Sequence, residues 1–335
     1  MDWAKGFTAK YTYTVVDPES WRDLETHRLF GGSITKTMSG LMESADLDIT
    51  ELPTTGEVWV RIYLNATQGA SGERVALFTG LMQTPEASWH GRLDTYAAEL
   101  YSVLKPADDV LLQRGWYAPA GYNGAELAAE LLGIGAAPVS YEADAPTLQS
   151  PIVAEDSETN LSMAQKVVDT IGWRIRIAGD GRISVEPKAT DKVLDLDPVE
   201  NDVVELNVTD TRDWFSCPNV LRAVYRNTVA IARDEDPDSP YSIQNRGREI
   251  WLEDKNPALN DREGFEEYAA RKLREEQIPT RKIRYTRRFM PDVYPGDIVG
   301  MHYPALNIDG DFRIASQKIT LGYGASVSEE GEAHG

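Results

Sequence analysis

RKIRYTRRFMPDVYPGDIVGMHYPALNIDGDFRIASQKITLGYG, residues Arg281–Gly324, is the stretch from which the fold follows. It divides into three runs, Arg281–Phe289, Ile298–Tyr303 and Phe312–Leu321, separated by Pro295-Gly296-Asp297 and Asp309-Gly310-Asp311. In the last run Phe312 and Ile314, and after a shift of phase Ile319 and Leu321, alternate with polar residues. A period of two marks a sheet with one buried face. Glycine supplies the positive φ of tight turns and Asp bonds back to its own backbone, so both separators read as turns. The expectation is a compact three-stranded meander that closes a β-barrel.

The N-terminal third carries the same signal. Phe7–Val16 alternates Tyr11, Tyr13 and Val15 with Lys10, Thr12 and Thr14, and Asp17-Pro18 ends it. Ser33–Met38 and Ser44–Ile49 flank Ser39-Gly40. Val58–Ala66 and Val75–Met82 flank the Gly69–Gly72 turn, and Leu93–Leu104 alternates again. Strands at this spacing without intervening helices predict an antiparallel barrel or sandwich.

The middle of the chain changes character. Ala125–Leu132 is strongly helix-forming, with Asn123 placed to cap it. Leu161–Ile171 sets Leu161, Ala164, Val167, Val168 and Ile171 on one face, and Gly172 stops it. Trp173–Ile177 and Arg182–Glu186 flank Gly179-Asp180-Gly181 as a hairpin. β-patterns resume at Val203–Val208, Val220–Tyr225 and Val229–Ile231, followed by a helix over Asp261–Gln277. The predicted class is mainly β (α+β): β-barrel domains over 1–108 and 201–325, an α/β insert over 109–200, and a polar tail over 326–335 with nothing to bury.

The composition excludes several functions. With 54 acidic and 34 basic residues the net charge is −20, which repels nucleic acid. The exception is Arg281, Lys282, Arg284, Arg287 and Arg288, which a strand divides between its two faces. They predict an edge blunted by charge, or a strand paired with an acidic partner, rather than a nucleic-acid stripe. The single cysteine, Cys217, gives no disulfide framework and no thiolate zinc site. No run approaches a membrane span, and the N-terminus lacks a signal peptide's apolar core, so a soluble cytoplasmic product is expected.

Catalytic motifs are absent. His27, His90, His302 and His334 have no ligand spacing, and no GxSxG or Walker A run occurs. Ser33-Ile34-Thr35-Lys36 matches SxxK by chance inside a strand pattern. Pro138 stands where a dinucleotide-binding loop would have its third glycine. The acidic loop Asp234–Asp238 lacks the glycine and twelfth-position glutamate of an EF-hand. A glycosidase needs only two suitably spaced carboxylates, and no pair stands out.

The second half, however, resembles a known family. The resemblance is carried by Asn219-Val220-Leu221, Asp236-Pro237-Asp238-Ser239-Pro240, the Tyr-Ala-Ala-Arg-Lys-Leu of helix Phe265–Leu273, and Tyr294-Pro295-Gly296-Asp297-Ile298-Val299. Phe312–Ser316 and Ile319–Gly324 complete it. In this order and spacing they look like the late-control family, the tail or baseplate hub proteins of contractile-tailed phages, tailocins and related prophage elements. The match covers Val203–Gly324; Leu161–Pro187 fits as well, while the N-terminal 105 residues agree only in pattern.

The resemblance implies two tube-type barrels around an α/β insert. It implies a homotrimer whose six barrels adapt a six-fold tail tube to a three-fold spike in the virion baseplate, assembled in the host cytoplasm. Its partners would be the tail tube or distal tail protein, the spike or tip protein and other baseplate proteins. No cofactor, metal, specific nucleic-acid contact or enzymatic activity is implied, and DNA would pass through an acidic lumen. A lytic or piercing activity would then belong to another chain. The basic residues 281, 282, 284, 287 and 288 become a candidate inter-subunit surface. The alternative is a tail-associated cell-wall hydrolase, glycoside- or peptidoglycan-cleaving, with a carboxylate pair.

Overall fold

The computed structural model describes residues 1–50, 56–83, 86–89, 94–200, 203–212, 214–225, 228–255, 257, 264–277, 281–322 and 324–334. The chain begins with β1 (Thr8–Val16), β2 (Asp23–Arg28), β3 (Gly31–Thr37), β4 (Glu43–Ile49), β5 (Val58–Gln68), β6 (Ser71–Met82), β7 (Glu86–Trp89) and β8 (Asp94–Ser102). Alternation fixes which side chains go inside. In β4, Ala45, Leu47 and Ile49 are buried while Ser44, Asp46 and Asp48 face out. These join Tyr13, Ile34, Ile62, Leu64, Phe78 and Leu100 in one core.

α1 (Lys105–Asp109) leads into the stretch expected as the insert, which holds β9 (Tyr117–Ala118), α2 (Gly124–Leu132), β10 (Val139–Tyr141), β11 (Ile152–Val153), α3 (Asn160–Thr170), β12 (Trp173–Ile177) and β13 (Ile183–Pro187). The Asn123 side chain accepts from the backbone N–H of Ala125 and Glu126, the cap its position promised. Thr159 and Ser162 form a reciprocal capping box at α3, and Gly172, at φ 74°, takes the left-handed turn after it. Leu127, Leu131, Leu161, Val167 and Trp173 share a separate core.

The remaining elements are β14 (Lys192–Leu196), β15 (Thr209–Arg212), β16 (Val220–Tyr225), β17 (Thr228–Arg233), α4 (Ile243–Arg246), β18 (Trp251–Asp254), α5 (Phe265–Gln277), β19 (Arg281–Arg288), β20 (Ile298–Tyr303), β21 (Ile308–Thr320) and β22 (Ser326–Ala333). α5 lays Tyr268, Ala269 and Leu273 on Leu221, Ala223 and Ala230 of a three-stranded sheet. Ile283, Val299, Met301, Phe312 and Ile314 form the core of the second β-region.

One 14-stranded sheet joins both β-regions; eleven strands run in the order β15-β19-β22-β21-β3-β4-β8-β6-β5-β1-β2, β20 with β14 branches off at β21 and β7 at β8. The junction is β21. Its first half pairs with β20 and its second half with β3. The register slips between Ile314 and Ser316, so Phe312 and Ile314 enter one core and Ile319 the other. The phase shift visible in the sequence is this bulge.

The fold class is the expected one, mainly β, but details differ. Among the described residues the pairings run as an open path from β15 to β2, and closure into two barrels is not among them. Asp309–Asp311 is not a turn: it lies inside β21, opposite Gly300–His302. The reversal falls at Pro304–Leu306, where Asn307 takes φ 53°. Val203–Val208 contributes one isolated bridge, at Val204, rather than a strand. Most consequentially, the polar segment after residue 325 is not a tail. It is β22, held between β19 and β21, with Val327 and Glu329 buried. Its glutamates have basic partners on β19, which composition alone does not reveal. Residues 261–263 of the predicted last helix, and His90, lie outside the described residues.

Candidate functional site

The basic run Arg281–Arg288 is an interior strand of the large sheet, with β15 on one side and β22 on the other. Of the two expectations for it, pairing with acidic neighbours describes what is seen. Arg281 donates to Asp210 at 2.9 Å. Lys282 reaches Glu332 at 2.7 Å and Glu330 at 3.3 Å, and Arg284 reaches Glu330 at 2.7 Å. Arg288 donates to the carbonyl of Ala4. Arg287 is not on a surface: with 1% exposure it forms a two-pronged pair with Glu329, at 2.6 and 2.8 Å. Alternation puts Arg281 on the same face of the strand, but Arg281 is only partly buried.

The same strands present two different polar faces. On the solvent side, Thr209 pairs with Arg284 and Glu330 with Ser316; then Lys318 pairs with Thr35, Ser33 with Asp46, and Asp46 with Glu99. This face crosses from β15 to β8 and therefore spans both β-regions. Among the described residues no exposed large apolar side chain lies on these strands; Phe30, Val199, Leu206 and Phe215 all lie off them. Charges are balanced at β19 and β22, whereas Asp46, Asp48 and Glu99 make the β4–β8 end acidic. Lys282 and Arg284 belong to this face.

On the inner side, one buried row runs Glu43, Lys36, Gln317, Glu329 and Tyr285 through direct cross-strand pairs. Lys36 donates to Glu43 at 2.5 Å, and Gln317 to Glu329 at 2.6 Å. Arg287 completes the row through Glu329. Burial raises the Glu43 carboxyl above its ordinary value against the pull of Lys36. Burial, with the Glu329 charge behind it, pushes the Tyr285 hydroxyl well up. This seam lies between the two apolar cores, with Ile319 and Val327 on one side and Ile283 and Ile314 on the other.

The insert is keyed to both β-regions. The carbonyl of Asp180, in the predicted Gly-Asp-Gly hairpin, accepts from Trp21 Nε1 at 3.0 Å and from Arg61 at 2.9 Å; Thr79 donates to the carbonyl of Gly179 at 3.0 Å. A Cβ on Gly179 would stand 1.9 Å from the carbonyl oxygen of Ala76, so only glycine permits this approach. At the other end Arg174 bridges Glu186 and Asp297, the latter from the Pro-Gly-Asp turn, each at 2.8 Å.

No catalytic arrangement emerges from the residues singled out by sequence. Ser33 and Lys36 are three apart on a strand and so face opposite ways, Lys36 into the seam. Cys217 is buried. His302 lies 3.3 Å from the exposed Asp309, and His27 stacks on Tyr13 with centroids 5.0 Å apart. In the acidic loop Asp234 accepts from Ser239 and from Gln277 of α5, and Asp236 from the backbone of Asp238, so the carboxylates are engaged by protein donors. Among the described residues no three His, Cys, Asp or Glu gather as metal ligands, and no helix is long and apolar enough to cross a membrane.

No protein-family model and no curated protein matches the sequence. Solved structures do match the fold. The chain is similar to the 43 kDa tail protein of prophage MuSo2 from Shewanella oneidensis, with TM-score 0.70 and 14% identity over 96% of this chain and 98% of that one. It is equally similar to the tail protein from Neisseria meningitidis MC58, with TM-score 0.69 and 14% identity over 98% and 97%. An Escherichia coli component of the type VI secretion system, described as structurally similar to the T4 bacteriophage tail proteins gp27 and gp5, gives TM-score 0.52 at 8% identity over 96% and 77%. The likeness is one of fold, along nearly the whole chain.

Proposed function

We propose that this chain is a structural protein of a phage-type tail or baseplate and acts there as the hub. Three copies form a ring that joins a six-fold tail tube to a three-fold spike. The observation that carries this reading is the polar sheet face from β15 to β8, which spans both β-regions and, among the described residues, exposes no large apolar side chain. A ring of such faces makes a wet lumen. Its acidic end at Asp46, Asp48 and Glu99 repels a passing polyanion, so nucleic acid slides without sticking. The end-to-end likeness to prophage tail proteins supports the same reading, as does the rigid keying of the insert to both β-regions. Arg284, with a side chain 68% exposed, and its ladder to Glu330 would then sit at the rim or inside of the ring, where a neighbouring subunit meets it. The chain's partners would be copies of itself, the tube or distal tail protein, the spike or tip and further baseplate proteins, in a particle assembled in the host cytoplasm.

The test is mass in solution by light scattering, over a range of concentration, with negative-stain imaging. Three times 37.3 kDa in ring-shaped particles is the expected result. A monomer at every concentration that releases sugar or peptide from cell walls would overturn the hub and restore the carboxylate hydrolase.

A further inference from the structure

Where the insert meets the second β-region, a pocket of about 390 Å³ opens between β12 and the Pro-Gly-Asp turn. Met38, Met42, Trp173 and Pro295 give it apolar walls. Gly296, at φ 89°, keeps it open: a Cβ there would stand 3.1 Å from Arg174 Nη1 and 4.0 Å from Met38 Sδ.

Three cations and one carboxylate, Asp169, line the pocket, and the partners of the cations differ. Arg174 is held by Asp297 and Glu186 at 2.8 Å each, and Lys188 lies 3.7 Å from Asp169. Arg313 has no such partner. It donates to the carbonyls of Gly296 at 2.7 Å and Ala189 at 3.4 Å, and among the described residues no carboxylate lies within ion-pair distance. Partial burial and the neighbouring Arg174 both disfavour its charge, with Asp297 opposing them. Carboxylates stand beside other cations of this chain of net charge −20, as Asp23 beside the buried Arg61 and Asp210 beside the partly buried Arg281, whereas Arg246, like Arg313, donates to backbone carbonyls. A guanidinium presents five donors in a fork suited to a carboxylate, and two of Arg313's are spent on carbonyls.

We propose that this pocket binds a carboxylate that carries an apolar group beside it. The carboxylate meets Arg313, and the apolar group lies against Met38, Met42 and Trp173. Methionines suit such a wall because their unbranched side chains adapt to the occupant. The ligand's source is either an acidic side chain flanked by apolar residues on another protein, or a small free acid. The site stands independently of the hub reading.

Calorimetric titration of the full chain tests it with three probes. They are hippurate, its uncharged amide, and an end-capped pentapeptide with one glutamate between two leucines. Hippurate or the peptide is expected to bind, with the amide at least roughly 10-fold weaker, and Arg313→Gln is expected to weaken binding roughly 10- to 100-fold. Arg313→Lys keeps the charge but loses the fork and falls between. Met38→Glu, at an exposed position, sets a fixed carboxylate at the mouth and abolishes binding without touching Arg313. Tighter binding of the peptide assigns the ligand to a protein, tighter binding of hippurate to a small acid. If neither acid binds, if the amide binds as well, or if Arg313→Gln leaves affinity unchanged, the proposal falls.

Discussion

The outer ladder of Lys282 and Arg284 with Glu330 and Glu332, and the inner seam of Glu43, Lys36, Gln317, Glu329 and Arg287, share strands β19 and β22 and pair the same kinds of charge. They lie on opposite faces. The ladder keeps its charges in water, where Coulomb attraction is weak and both partners stay solvated when separated. The seam removes four charges from water and leaves them each other and a few neutral hydrogen-bond partners, so any broken pair strands an ion in a medium that solvates it poorly. The ladder contributes little to stability and sets the character of a surface. The seam fixes the register of β4, β3, β21, β22 and β19, because a one-residue slip would put every member on the wrong face. It therefore holds the two β-regions in one relative position.

The sharpest way to break this contrast is Arg287→Met. Removing one partner of a fully buried pair leaves Glu329 uncompensated and is expected to cost about 3–5 kcal/mol. Adding Glu329→Leu should recover most of that loss, because apolar replacement of a whole buried pair is often neutral or better. Denaturant midpoints of wild type, single and double variants measure both steps. A single substitution costing less than about 1 kcal/mol would show that the seam is solvated and that its difference from the ladder is illusory.

The two rows also mark the limit of what the sequence discloses. Where charge points outward, as in β4, alternation identifies it at once, and the cores of the first β-region and the helices followed from the same rule. Where charge points inward, the rule misleads. Arg281–Arg288 was divided between faces correctly by periodicity, but nothing local says that Arg287 meets a glutamate 42 residues later. The segment Ser326–Ala333 misleads for the same reason. Its glutamates and glycine read as solvated tail, because the basic strand that accepts them is distant in the chain. The hairpin Gly179–Gly181 was legible as a turn, but the docking that requires Gly179 depends on Ala76, Arg61 and Trp21 together. Non-local pairing is the information missing from composition and period.

Next in size is Gly179→Ala. The hairpin can admit a Cβ only by moving off β6, so a cost of about 1–3 kcal/mol is expected, as for overpacking. The loss should be local, with faster hydrogen exchange in β6, β12 and β13 and no change in β19 or β22. Exchange rising equally in the seam strands would mean that the insert and the seam are one cooperative unit. In that case the distinction between keying the insert and fixing the register would disappear.

The smallest effects separate the two rows by sign. Arg284→Ala should cost only about 0.2–1 kcal/mol, less in high salt, since its partner Glu330 remains hydrated. The carboxylates respond to pH in opposite directions. Arg284 and Lys282 hold Glu330 below the ordinary value of 4.5, so its contribution is present above pH 4.5 and fades as pH falls through its lowered folded value. Glu43 is raised above 4.5 by burial; its contribution is complete below pH 4.5 and is lost as pH rises through its folded value. Unfolding free energy measured against pH should therefore lose part of its acid-side decline in Glu330→Gln. In the paired variant Lys36→Met with Glu43→Leu it should instead lose part of its decline on the alkaline side of 4.5. If both variants flattened the same limb, Glu43 would be titrating like a solvated carboxylate, and the seam would be no more than the ladder seen from behind.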